Sequence, residues 1–157
     1  MPEIYVRTEI DAPIRRVFDL ARSVDLHIAT NDRSHERVVE GRRSGLIELG
    51  DQLTWEARHL GIRQRLTVKV TALDKHSFFF DDVMIQGAFA MMQHRHVLRK
   101  VAKGVVMEDF FYFKAPYGVI GRLVEICFLE KYMRHFLERK ANELKRVAET
   151  DDWKAYI

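Results

Sequence analysis

His94 and His96 stand two apart in "MMQHRHVLRK". On an extended strand that spacing turns both imidazoles to one face, together with Met92 and Leu98. Three chemistries use such a pair. A metal ion would need at least one further ligand, and Asp109, Glu108, His27 and His59 are available. Nothing in the spacing selects one of them, so no metal and no cofactor is expected. Acid–base catalysis needs a group titrating near working pH within reach of a substrate, and a histidine beside a carboxylate supplies one. Asp109, on the following strand, would complete that group with His94 or His96. The third chemistry is plain recognition, in which the same three side chains bond to one another and hold the polar end of a ligand. This last reading is the leading one, with catalysis by His94, His96 and Asp109 as its alternative. His27, in "VDLHIAT", falls where short helices would cap a cavity; an exposed or capping residue is the leading reading and a gate the alternative.

Other reactive patterns are missing. The chain has no Gly-x-Ser-x-Gly, no phosphate-cradling glycine loop and no dinucleotide fingerprint. Cys127 is the only cysteine, which excludes an intrachain disulfide and a thiolate zinc site. It sits in the most apolar part of the C-terminal region, where a thiol is expected to be an inert core residue.

The elements that would position these residues follow from periodicity. "EIYVRTEI" alternates Ile4, Val6, Thr8 and Ile10 against polar neighbours, as a half-buried strand does. In "DAPIRRVFDLARSVD", Asp11 is a candidate cap ahead of Pro13, and Ile14, Val17, Phe18 and Ala21 recur at helical spacing. "DLHIAT" reads as a second short helix or turn. Six strands joined by short turns come next, from "HERVVEG" to "VVMEDFFYFK", with Gly61 marking a tight hairpin and Ala102-Lys103-Gly104 another turn. They form an antiparallel meander.

Pro116 and Gly118 end the sheet, and a helix is expected from Val119 to Glu149, on the order of 45 Å long. Its stripe comprises Leu123, Ile126, Met133, Phe136, Leu137, Leu144 and Val147. The first half, "LVEICFLEKYM", is apolar nearly all round and is expected to lie deep in its own fold. The alternatives are an apolar mouth meeting a membrane surface or a ligand, or a homodimer or partner contact, which would make the protein an interaction protein that uses this helix. The basic run "RHFLERKANELKR" alternates with Glu138 and Glu143 and reads as a solvated face.

The bulk numbers agree with one α+β domain over 1–157, its core at about 3–149. Of the 157 residues 47% are hydrophobic and 31% charged, and 26 basic against 23 acidic side chains leave only +3. That balance gives no footprint for nucleic acid. The N-terminus lacks the pattern of a secretory signal, and no segment approaches the roughly 18 apolar residues of a membrane span. A cytoplasmic location is expected.

A curved sheet around one long helix cannot be filled by that helix alone, and apolar pockets form where elements diverge in this way. Large side chains suited to the walls are Trp55, Phe80, Phe89, Met92, Met107 and Phe111, with Phe78, Met91 and Phe113 nearby. Six methionines and ten phenylalanines suit an adaptable apolar cavity.

Four stretches in order carry a resemblance. "IDAPIRRVFDLARSVDLH", "GLIELGDQLTWEARHLG", "GAFAMMQHRHVL" and "MEDFFYFKAPYGVIGRL" resemble the successive motifs of the START/SRPBCC superfamily, over roughly residues 4 to 147. This is the superfamily of polyketide cyclases, lipid-transfer domains and coenzyme Q-binding proteins. The resemblance implies a helix-grip fold, with about seven curved antiparallel strands around a long C-terminal helix and two short helices after the first strand. It also implies a lipid-, polyketide- or quinone-like ligand, and a cyclase/dehydratase if the protein is an enzyme. It does not choose among carriers, sensors and enzymes. Met92 departs from the pattern, since relatives often carry an aromatic residue there.

Overall fold

The computed structural model describes residues 2–30 and 35–157. Strand β1 (Glu3–Ile10) buries Ile4, Val6, Thr8 and Ile10 and exposes the residues between them. Two short helices follow, α1 (Ile14–Arg22) and α2 (Val24–Ala29). Six strands come next: β2 (Arg37–Gly41), β3 (Gln52–His59), β4 (Ile62–Asp74), β5 (Phe79–Gln86), β6 (Met91–Lys100) and β7 (Val105–Lys114). The sheet order is β1-β7-β6-β5-β4-β3-β2, with the strands pairing antiparallel. This is the expected meander, closed at one edge by β1.

Local chemistry explains the joints. The β3–β4 hairpin turns on Leu60 and Gly61, both at positive φ, as the favoured two-residue turn requires. Register shifts at Thr67/Val68 and Val70/Ala72 interrupt the β4–β5 ladder. Such bulges bend a strand and increase its twist, and β4 is the longest strand of the sheet. The sheet therefore curls around the C-terminal helix.

That helix runs from Gly118 to Glu149 as α3 (Gly118–Val124), a π-helical turn (Glu125–Leu129) and α4 (Glu130–Glu149). The Glu125 carboxylate is buried and accepts the Ala115 backbone N–H, which ties the π turn to the end of β7. At Gly121 an added Cβ would lie 1.9 Å from the Pro116 carbonyl oxygen, so only glycine admits this close approach. Farther along, α4 lays Met133, Leu137, Ala141 and Leu144 over the concave face. It is latched to the start of the chain, where Asp11 N donates to Glu149 Oε1 at 2.9 Å and Arg16 Nη1 donates to Ala148 O at 3.1 Å.

Three expectations are corrected. Asp11 does not cap α1; Pro13 stands in the capping position without a side-chain bond, and Asp11 pairs with Lys103 and the helix end instead. The first half of the long helix is not sunk in the fold. Val119 is 80% exposed and Ile126 64%, and Leu123 is exposed as well, so the buried stripe begins only at Met133. Cys127 lies in this exposed stretch and is not a core residue. The physical reason is the β7 anchor: Gly121 and Glu125 face the sheet end, which turns the bulky apolar residues outward.

Candidate functional site

Between the concave sheet, α2 and α4 lies a cavity of about 300 Å³. Its walls follow from strand alternation. Trp55 and Ala57 on β3, Leu66 and Val68 on β4, and Met107 and Phe111 on β7 all turn inward. Phe89, from the β5–β6 connection, lines one side with its ring 5.5 Å from that of Phe113. Most of the lining is hydrocarbon, and one wall carries a cluster of polar groups.

That wall is built by register. Asp82 on β5 lies directly across from His94 on β6, and His96 lies across from Asp109 on β7. All four side chains line the cavity. His96 Nδ1 is 2.5 Å from Asp109 Oδ1, and His94 Nε2 is 3.4 Å from the same oxygen. Despite this crowding, the three buried atoms have no well-formed hydrogen bond. The imidazoles touch, with ring centroids 3.8 Å apart, and His96 stacks on Phe80 at 4.2 Å. His94 meets the Phe111 ring edge-on at 5.3 Å.

The titration tendencies of the wall diverge. Burial raises the Asp82 carboxyl above its ordinary range. Burial acts the same way on Asp109, but the two imidazoles more than offset it and hold Asp109 below the ordinary carboxylate range. Burial and then the neighbouring His96 push the His94 imidazole down, toward its neutral form.

A second polar group faces the cluster from α2 and α4. His27 Nε2 lies 3.0 Å from the Ala21 carbonyl oxygen, which can only accept, so Nε2 carries the proton. Its Nδ1 is left as the acceptor facing Lys140 Nζ at 3.4 Å. Lys140 in turn lies 3.4 Å from Glu36 Oε2. At the rim, Tyr132 OH and His59 Nδ1 are 2.8 Å apart.

No family model matches the chain, and no curated protein matches it in sequence. Solved structures do match. TTHA0849 from Thermus thermophilus superposes with a TM-score of 0.76 at 18% identity, over 92% of this chain and 95% of its own. A START superfamily protein from Mycobacterium smegmatis gives 0.71 at 13% identity, over 94% and 97%. The major latex-like protein 151 of Panax ginseng gives 0.68 at 9% identity, over 94% and 97%. The chain has the START-type helix-grip fold. At these identities the likeness is one of fold.

Within the helix-grip frame, the expected wall residues Trp55, Phe80, Phe89, Met92, His94, His96, Met107, Asp109, Phe111 and His27 all border the one cavity. Two candidate third ligands for the histidines do not join them at the cluster. Glu108 points to the outer face, bonded to Tyr5 OH at 2.6 Å and to Arg99, and His59 stays at the rim. Asp82, which sequence reasoning passed over, takes that place. The alternation in "FFFDDVMI" held a signal for it: Asp81 pairs outward with Arg95 at 2.6 Å, which leaves Asp82 on the inner face with Phe80. Lys140 was also missed. The basic run that contains it reads as a solvated face, yet Lys140 lies three and four residues from Leu137 and Leu144, on the stripe that faces the cavity.

Proposed function

We propose that this protein binds a small, mostly apolar molecule with one polar end in the cavity of its helix-grip fold. The observation that carries this reading is the shape and chemistry of the cavity. A volume of about 300 Å³ is at the small end of ligand sites, and the lining is apolar with a few convergent polar groups. The hydrocarbon part of a lipid-, polyketide- or quinone-like ligand would lie against Trp55, Met107 and Phe111. Its polar end would meet His94, His96 and Asp109. Apolar burial contributes about 25 cal/mol per Å² before the costs of association are subtracted. Native mass spectrometry of freshly purified protein, compared with the denatured mass, tests the reading. A reproducible adduct of an organic molecule supports it and allows the ligand to be identified; an unliganded mass that also fails to shift with added long-chain fatty acids or quinones contradicts it.

A second reading, a cyclase- or dehydratase-type enzyme, is favoured by one specific feature. Two carboxylates on the same wall, Asp82 and Asp109, are shifted in opposite directions, the pattern that separates an acid from a base. If it holds, His94→Ala retains ligand but abolishes conversion of it, read by product mass. Conversion unchanged in that variant removes the histidine from any mechanism.

A further inference from the structure

The geometry points to a divalent transition-metal site on the inner wall, formed by Asp82, His94 and His96, with Asp109 behind His96 as the orienting carboxylate. Three observations converge on it. Asp82, His94 and His96 each offer one donor atom, and the three donor atoms lie within 4.8 Å of one another. Zinc-type ions hold imidazole nitrogen and carboxylate oxygen at about 2.0–2.2 Å, so modest side-chain rotations bring all three to one ion. The cluster is also unsatisfied as it stands, because buried His94 Nε2, His96 Nδ1 and Asp109 Oδ1 have no hydrogen-bond partner. Polar atoms that converge in a largely apolar cavity call for a centre that several donors can share.

Charge gives the third argument. Among the described residues, no lysine or arginine forms an ion pair with Asp82 or Asp109; the groups within reach of Asp109 are the two imidazoles. One dication balances two carboxylates and also bridges two imidazoles whose rings are in contact. The backbone supplies the arrangement without adjustment. Asp82 is the cross-strand partner of His94, and Asp109 is the cross-strand partner of His96. Asp109 lies 2.5 Å from Nδ1 of His96, which leaves Nε2 for the ion; a ring rotation that aligns Nδ1–H with the carboxylate on metal binding would give the relation by which outer carboxylates fix metal-bound histidines. Two imidazoles and a carboxylate, with no thiolate, suit zinc or ferrous iron rather than calcium or copper(I). The cavity side stays open, so a ligand's oxygen can complete the coordination.

The proposal shares a wall with the proposed ligand cavity but does not depend on that cavity holding a ligand, and metal alone tests it. Chelator-treated, dialysed protein is titrated with Co²⁺ and with Zn²⁺ by calorimetry, and Co²⁺ binding is followed by its visible absorption. The expected result is one ion per chain. Affinity falls by about 10- to 100-fold in Asp109→Asn and by more in Asp82→Asn and His94→Gln, while His76→Gln and His135→Gln, both exposed, leave it unchanged. Should the wall variants fold poorly, long-range ¹H–¹⁵N spectra of the wild-type protein give the answer. Zn²⁺ then shifts the ring nitrogens of His94 and His96 and leaves those of His76 and His135 in place. Absence of stoichiometric uptake, uptake indifferent to Asp82→Asn and His94→Gln, or shifts confined to other histidines would each overturn the proposal.

Discussion

At the scale of single residues, the cavity shifts titratable groups away from their ordinary values. His27 is the clearest case. Burial, followed by the nearby Lys140 ammonium, lowers its pKa to about 3. The bond from Nε2–H to Ala21 O only partly opposes this, and His94 and His96 add to the lowering. In the unfolded chain the residue titrates near ~6.5. Because the folded value is the lower one, the unfolded state binds the extra proton between those two values. The contribution of His27 is therefore level above pH ~6.5. Below that it costs stability, by up to ~1.4 kcal/mol per pH unit toward pH ~3. Urea unfolding at pH 7 and pH 4.5 should show that His27→Gln flattens this acid limb, and an identical acid limb in the variant would refute the assignment. Trp55 belongs to the same scale. It is half-buried at the cavity wall, with its ring 5.9 Å from His27, where the proposed binding function would have it touch the ligand. Trp55→Ala is expected to weaken ligand binding by at least about tenfold while the urea midpoint moves comparatively little; equal losses of both would count against a wall role.

At the scale of elements, the strands were legible in the sequence and the helix only in part. The alternation of Ile4, Val6, Thr8 and Ile10 and the turn at Gly61 each have one structural outcome, and the structure shows it. Legibility failed where burial depends on an anchor distant in sequence. A run such as "LVEICFLEKYM" says that apolar surface exists on several sides, but not whether the protein's own fold covers it. The anchor is Glu125 bonded to Ala115 N, ten residues back. Asp82 was half hidden: alternation with Phe80 points it inward, but its place across from His94 follows only from the register with β6. Two variants test the anchoring. Glu125→Ala strands the buried Ala115 N–H and should cost about 1–3 kcal/mol in urea unfolding. Leu123→Lys, on the exposed side of α3, should change stability by no more than about 0.5 kcal/mol. A large loss from Leu123→Lys would restore the buried reading of that helix half.

At the scale of the whole molecule, the protein offers two apolar surfaces of different kinds. One is the cavity between sheet and α4; the other is the open face of α3 and the π turn, where Val119, Ile120 and Ile126 stand in solvent. An apolar probe can bind either, so binding alone does not establish a cavity function. Among the described residues, no helix is long and apolar enough to cross a membrane. The two surfaces separate by substitution. Ala141 lines the cavity from α4 and is buried, whereas Ile120 is 71% exposed. Filling a well-packed site costs about 1–3 kcal/mol, but a side chain that grows into open cavity space avoids most of that strain. The decisive measurement is a fluorescence titration with a naturally fluorescent polyene fatty acid against wild type, Ala141→Phe and Ile120→Lys. The cavity account predicts saturable one-to-one binding in wild type and in Ile120→Lys, and its loss in a folded Ala141→Phe. Binding retained in Ala141→Phe and lost in Ile120→Lys would contradict it and place the probe on the open helix face.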